Sequence, residues 1–218
     1  MATKFHKSGQ RFVAGLSLCS TSNLSSMLSD VCNFVLETLR QQDDKRIKRT
    51  GIRRFFVVNG YEEVALFLHS WKFHSHANSL KTGDFSTMYT SLPLKKLKYN
   101  IRFALTEAWL YVAEDLGCDW SEIRLVWKPG SQCVWSRSRS STKPIHKKSM
   151  HSFNGEDLDR LIGWLIDNTY VVNGSVCRRQ TVGLPMGTNC APALCNLGPI
   201  TWEYCYIRKF TLPSSKVG

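Results

Sequence analysis

TYVVNGSVCRRQTVGLPMGTNCAPALCNL, residues 169–197, is the stretch from which the rest of the chain is read. Asn173-Gly174 stands between two β-prone runs, and both residues tolerate positive φ, so the segment predicts a hairpin with a two-residue turn. The hairpin feeds a segment punctuated by Gly183 and Gly187 with Pro185 between them, and a last helix follows through Trp202 and Tyr206. Two glycines around a rigid proline let backbone approach a ligand closely, just ahead of a helix N-terminus. On spacing alone the same segment serves equally as a structural turn. Neither a Walker A loop nor a dinucleotide fingerprint fits, because the spacing and the lysine are both wrong.

Working outward, the upstream pattern is mostly helical. Leu158, Leu161, Ile162, Leu165 and Ile166 recur at helical spacing within 155–168. A longer helix opens with Pro93 in its first turn, buries Leu94, Leu97, Ile101, Ala104, Leu105, Ala108, Trp109 and Val112, and ends at Gly117. Near the N-terminus, Thr21 or Ser22 caps a helix whose inward residues are Leu24, Met27, Leu28, Val31, Phe34, Val35 and Leu39. Residues 61–71 read as helix, and 55–58 and 80–85 read as short extended runs. Residues 128–151 are basic and serine-rich without a sustained period, which suits a loop or an irregular hairpin. Helices mixed with isolated strands and a hairpin, and no internal repeat, give an α+β fold.

Charge narrows the partners. The chain has 218 residues, with Lys+Arg 29 against Asp+Glu 17, a net charge of +12, and 43% hydrophobic residues. Such a composition buries a core and excludes disorder over most of the length. The excess of positive charge suggests a polyanion, most simply nucleic acid. No apolar run reaches membrane-span length and MATKFHKSGQR lacks a signal-peptide core, so no membrane partner is expected. Eight cysteines without any Cys-x-x-Cys argue against a zinc ribbon or a secreted disulfide framework. The run QQDDKRIKRTGIRR, 41–54, reads as a solvated loop or helix face, and alternatively as a phosphate contact or a nuclear address. Its Asp43-Asp44 reads as a solvated turn.

Three constellations are candidates for chemistry. Asp84, at the end of an extended run and before a turn, offers the hard oxygen that magnesium prefers, although such a residue also serves as a cap. The Gly183–Gly187 loop is the second. Lys4, Lys7 and Arg11, with His6 among them, suit a triphosphate clamp or an exposed basic terminus. His74 and His76 lack a nearby third ligand.

In order along the chain, these stretches resemble one family. KFHKSGQRFVAG (4–15) with the CSTSNLSSMLSDV helix (19–31) resembles the fingers motif of reverse transcriptases of the Penelope-like type, relatives of telomerase carried by retroelements. GDFSTMYTSLPLKKL (83–97) resembles their motif A, and 168–197 their motif B with its preceding hairpin. The resemblance implies the fingers and partial palm of a right-hand polymerase: a fingers-like segment over 1–72 and a partial palm over 73–218. It implies that Asp84 bridges two magnesium ions with the Phe85 carbonyl as a further ligand. Tyr89 then lies under the sugar of the incoming nucleotide as a steric gate. Lys4, Lys7 and Arg11 hold the triphosphate, while Gln180, Gly183, Pro185, Met186 and Gly187 form the loop against the nascent base pair and template. The implied partners are an RNA template, a DNA primer and deoxynucleoside triphosphates, and the implied location is the nucleus.

The chain also departs from that pattern. Two-metal nucleotidyl transfer needs several carboxylates, and the family supplies an Asp-Asp pair in motif C after motif B. After Cys190 the only acidic residue here is Glu203. A missing second metal seat forfeits roughly 5 kcal/mol of transition-state stabilisation, so the chain alone is expected to be inactive, as a truncated or decayed transposable element would be. Cys195 also stands where the family has Ala, and Gly83 where it often has an aromatic. LPSSKVG (212–218) has no counterpart. Gly198-Pro199 costs about 4 kcal/mol relative to alanines in a helix interior, which predicts a kink or break.

Overall fold

The computed structural model describes residues 2–3, 10–11, 19–58, 60–71, 88–138, 150–173, 175–184 and 187–211. The elements in order are β1 (Ala2–Thr3), β2 (Gln10–Arg11), α1 (Ser22–Thr50), α2 (Tyr61–Trp71), α3 (Met88–Ser91) and α4 (Leu94–Leu116). A 3-10 turn (Trp120–Glu122) leads to β3 (Ile123–Trp127), β4 (Val134–Arg137) and β5 (His151–Phe153). Then come α5 (Gly155–Asp167), β6 (Tyr170–Asn173), β7 (Val176–Arg179) and α6 (Ala191–Thr211). The fold is α+β. Its strands form three small antiparallel sheets, β1-β2, β4-β3-β5 and β6-β7.

The core lies among α1, α4, α5, α6 and the face of β3. Leu28, Val31, Cys32 and Val35 of α1 are wholly buried, as is Ala104 of α4. Leu194 and Leu197 bring α6 onto them. Helices α4 and α6 run side by side in one direction, since Asn100 meets Gly198 and Thr201 while Phe103 meets Tyr204. Helix α5 runs antiparallel to α4, tied by Lys98–Asp167 near its end and Arg102–Asp159 near its start. Aromatic rings join the three-stranded sheet to the helices. Trp135 meets Trp109 edge-on at 4.6 Å, and its Nε1 donates to Thr38 Oγ1 of α1 at 3.0 Å.

Gly117, left-handed at φ 59°, ends α4 as the sequence indicates, whereas Pro93 stands one position before the helix, extended at ψ 114°, and not inside its first turn. Helix α1 is longer than its apolar pattern suggests. It continues through the basic run to Thr50 because Lys and Arg are good helix formers, and Lys48 and Arg49 complement the negative C-terminal dipole. Gly51, left-handed at φ 69°, donates its N–H to Ile47 O and closes the helix.

Asp43 is therefore not a solvated turn residue. It sits inside α1 at 4% exposure and accepts the N–H groups of Arg54 at 2.9 Å and Phe55 at 3.1 Å. Residues 52–58 form no strand: the N–H groups of Arg54 and Phe55 meet the Asp43 carboxylate, and that of Ile52 meets Thr50 Oγ1 at 3.3 Å, instead of a ladder. Of residues 128–151, those described follow the hairpin alternative, for β4 pairs with β3 and His151 opens β5 on the other edge of β3, while 139–149 lie outside the described residues. The hairpin forms, but Asn173 pairs with Val176, so the two-residue connection is 174–175, one residue later than the Asn-Gly pair indicates.

Helix α6 runs unbroken across Gly198-Pro199. Pro199 leaves the carbonyl of Cys195 without its helical donor; beside it, buried Asn100 of α4 donates to Gly198 O at 2.9 Å, and Thr201 Oγ1 donates to Asn100 O at 3.1 Å, which ties the segment to α4. The bare Gly198 also admits Leu97, whose Cδ1 would stand 2.9 Å from an added Cβ. The predicted break is offset by this close helix–helix seat.

Candidate functional site

Two of the candidate segments, distant in sequence, meet on one floor. After the single turn of α3, Leu92 and Pro93 lead into α4, and the segment after β7 lies across them. Gly183 donates its N–H to Leu92 O at 2.8 Å, and Leu184 donates to Tyr89 O at 2.6 Å. Gly183 has φ 75°, and a Cβ there would stand 2.2 Å from Tyr89 O and 2.7 Å from Thr90 Cα. Both the left-handed backbone and the contact demand glycine. Leu184 then turns inward to 4% exposure and anchors the segment in the core.

Gln180 sets the approach. Its backbone N–H extends the hairpin by bonding Thr169 O at 2.9 Å, and its Nε2 donates to Val182 O at 3.0 Å. Gly187 is exposed at φ 114°. Thr188, at 8% exposure, has an Oγ1 without a partner among the described residues, while its carbonyl accepts Ala191 N–H at 3.0 Å. One otherwise orphaned donor before α6, Cys190 N–H, reaches Ser25 Oγ of α1 at 3.2 Å, which fixes the helix start.

Tyr89 is half-buried and packs against the core. Burial raises its phenol above the ordinary range, and the neighbouring Cys195 thiol adds to the shift. Burial pushes Cys195 itself up to about 11, so it stands behind Tyr89 as a neutral thiol. Basic groups follow this floor along α4 and precede it in β7. Lys95 and Lys96 occupy the first turn of α4, where no acidic residue stands, and Lys96 Nζ lies 5.0 Å above the Trp202 ring. Lys98 bonds the Asp167 carboxylate at 2.7 Å, and Arg179 Nε donates to Asp167 O at 2.6 Å.

The structure thus brings Gly183 onto Tyr89, with Gln180 three residues before this contact and Gly187 four residues after it. Lys4, Lys7, Asp84, Phe85, Pro185 and Met186 lie outside the described residues, as do His6, Gly83, Gly174, His74 and His76. Arg11 is described only as a residue of β2 paired with Ala2. The run 80–85 is outside as well. Among the described residues no group of three or more His, Cys, Asp or Glu could hold a metal ion. Glu203 belongs to no such group: burial raises its pKa above the ordinary value against the opposing Phe56 N–H, and its Oε2 is buried without a partner among the described residues. Sequence reasoning missed Leu92, Leu184 and Cys195, the residues that seat and back Tyr89. A separate groove of about 640 Å³, between α4 and α5 with Trp120 at its rim, contains none of the candidate residues. Comparison of the chain with protein-family models, with curated proteins and with solved structures finds no match.

Proposed function

We propose that the chain carries the motif A and motif B part of an RNA-directed DNA polymerase of the Penelope-like, telomerase-related type, in a right-hand arrangement. The observation that supports this reading best is the seating of Gly183 on Tyr89 and Leu92. Template-directed nucleotidyl transfer needs a side chain under the incoming sugar and a loop against the nascent base pair, held at fixed spacing. A backbone-to-backbone lock supplies that spacing without relying on flexible side chains. In the reading, Tyr89 excludes a 2′-hydroxyl, Gln180 and the Gly183–Gly187 loop support the base pair, and Lys4, Lys7 and Arg11 take the triphosphate.

Two magnesium ions would activate the primer 3′-hydroxyl and neutralise the leaving pyrophosphate in such a reaction. Asp84 and the Phe85 carbonyl are the positions of this chain assigned to them. Among the described residues no group of three or more His, Cys, Asp or Glu offers a further seat, and catalysis by this chain alone is not part of the proposal. A second reading is a non-catalytic nucleic-acid-binding remnant of a decayed element, for which the net charge of +12 serves equally well.

Primer extension tests both. The purified chain, given an RNA template, a DNA primer, deoxynucleoside triphosphates and magnesium, should bind template-primer and extend it negligibly. Extension that Asp84→Asn abolishes would overturn the inactivity of the chain and the remnant reading together. Failure to bind template-primer at low salt would remove the polymerase reading.

A further inference from the structure

We propose that the β6–β7 hairpin and the adjoining outer face at the start of α4 form a platform for single-stranded nucleic acid. The inference rests on the nucleic-acid part of the proposed function and not on its catalytic part. Among the described residues, the hairpin is unusual in being covered on neither face. Tyr170 and Val172 on one side, and Val171 and Val176 on the other, are 38–68% exposed, and all four residues of β7 are exposed. A two-stranded hairpin in water is marginal by itself, so apolar and basic residues displayed on both faces suit a partner.

The groups displayed are of the kind that holds a single strand. Arg178 and Arg179 stand opposite Val171 and Tyr170 in the register, alternating charge with apolar surface. Arg179 reaches the Asp167 carbonyl whose carboxylate takes Lys98, which fixes the hairpin beside α4. On α4, Lys95 and Tyr99 are one turn apart and exposed, Tyr99 by 66%. Trp164 of α5 adds a ring 51% exposed. Single strands are held by such pairing of cations along the backbone with aromatic faces under the bases.

Position distinguishes this cluster from the other basic end of the molecule. Lys48 and Arg49 occupy the last turn of α1, where positive charge stabilises the helix. Lys95 and Lys96 occupy the first turn of α4, where the same dipole opposes them. Helix stability accounts for the first pair and not for the second. The Lys45–Asp115 bridge sets the α1 end against the far end of α4, about 30 Å from Lys95 at 1.5 Å rise per residue.

Fluorescence anisotropy with a labelled, unstructured oligouridine, over a range of salt, tests the assignment on the full chain. Arg178→Glu/Arg179→Glu should weaken binding at least tenfold and lower the salt slope by about 1.4, for two phosphate contacts on a single strand. Lys48→Glu/Arg49→Glu, with the same change in net charge, should weaken it less than threefold. Tyr99→Ala/Tyr170→Ala should weaken binding about fivefold or more with the slope unchanged. Lys95→Glu, outside the hairpin, should weaken it threefold or more even if the hairpin variant misfolds by circular dichroism. Equal losses from the two charge-reversed pairs, or duplex DNA bound more tightly than the single strand, would overturn the platform while leaving the proposed function standing. No binding by the wild-type chain would overturn both.

Discussion

Gly183→Ala carries the sharpest prediction about how the candidate site is built. At φ 75° an L-residue costs about 1–2 kcal/mol. The added Cβ would lie 2.2 Å from Tyr89 O and 2.7 Å from Thr90 Cα, and both atoms are backbone, so no side-chain rotation relieves the contact. The segment must lift, which breaks Gly183 N–H to Leu92 O and Leu184 N–H to Tyr89 O, about 1 kcal/mol net each. The expected loss is therefore about 3–4 kcal/mol, a large share of the stability of a domain this size. Urea denaturation followed by circular dichroism gives the global loss, and amide exchange at Leu184 gives the local one. Gly163→Ala is the internal control. That glycine lies within α5 with only Lys98 Cδ near, at 3.8 Å, so alanine should stabilise by up to about 1 kcal/mol. If Gly183→Ala is within about 0.5 kcal/mol of wild type and Leu184 still exchanges slowly, the backbone lock does not exist as described.

Two further substitutions probe residues 52–58. Asp43→Asn leaves one of the Arg54 and Phe55 donors without its carboxylate oxygen and should cost about 2 kcal/mol in urea denaturation, whereas Asp44→Asn, exposed, should change stability by less than about 0.5 kcal/mol. Burial raises the Glu203 carboxyl above its ordinary 4.5, against the opposing Phe56 N–H. The folded chain then binds more protons than the unfolded chain over that interval, so this contribution is full below about pH 4.5 and is lost as pH rises through the raised value. Burial raises Glu107 likewise, partly opposed by Arg46 and Arg54. Denaturation midpoints for Glu203→Gln should match wild type near pH 4 and exceed it at pH 7. An identical pH profile for the two proteins would contradict the assignment.

Local patterns in the sequence locate the helices well. Pro93 and Gly117 mark α4 because a missing N–H and a left-handed φ are local requirements, and the apolar spacing of α5 needs no tertiary partner to be read. The α+β class follows from the same signals. What the sequence hides is the non-local pairing of polar groups. Asp43 looks like a surface residue because its acceptors are filled by N–H groups 11 and 12 residues away. Gly198-Pro199 looks like a break because its seat on α4, with Asn100, 98 residues upstream, donating to Gly198 O, is not visible in the local sequence. At the site, Gly183 is legible as a special glycine, but its reason, the carbonyl of Tyr89, is visible only in three dimensions. The register of the hairpin escapes for a simpler reason, since Asn-Gly and Gly-Ser are both permitted two-residue connections.

Nucleotide discrimination tests the central proposal most directly, because it asks whether the floor made by Tyr89 and Gly183 receives a sugar. Affinities for a deoxynucleoside and a ribonucleoside triphosphate, measured with template-primer and magnesium present, should favour the deoxy form in the wild-type chain by tenfold or more. Tyr89→Ala should narrow the gap mainly by admitting the ribonucleotide. Equal affinities in the wild-type chain, or a gap that Tyr89→Ala leaves intact, would contradict the assignment of this floor to nucleotide binding.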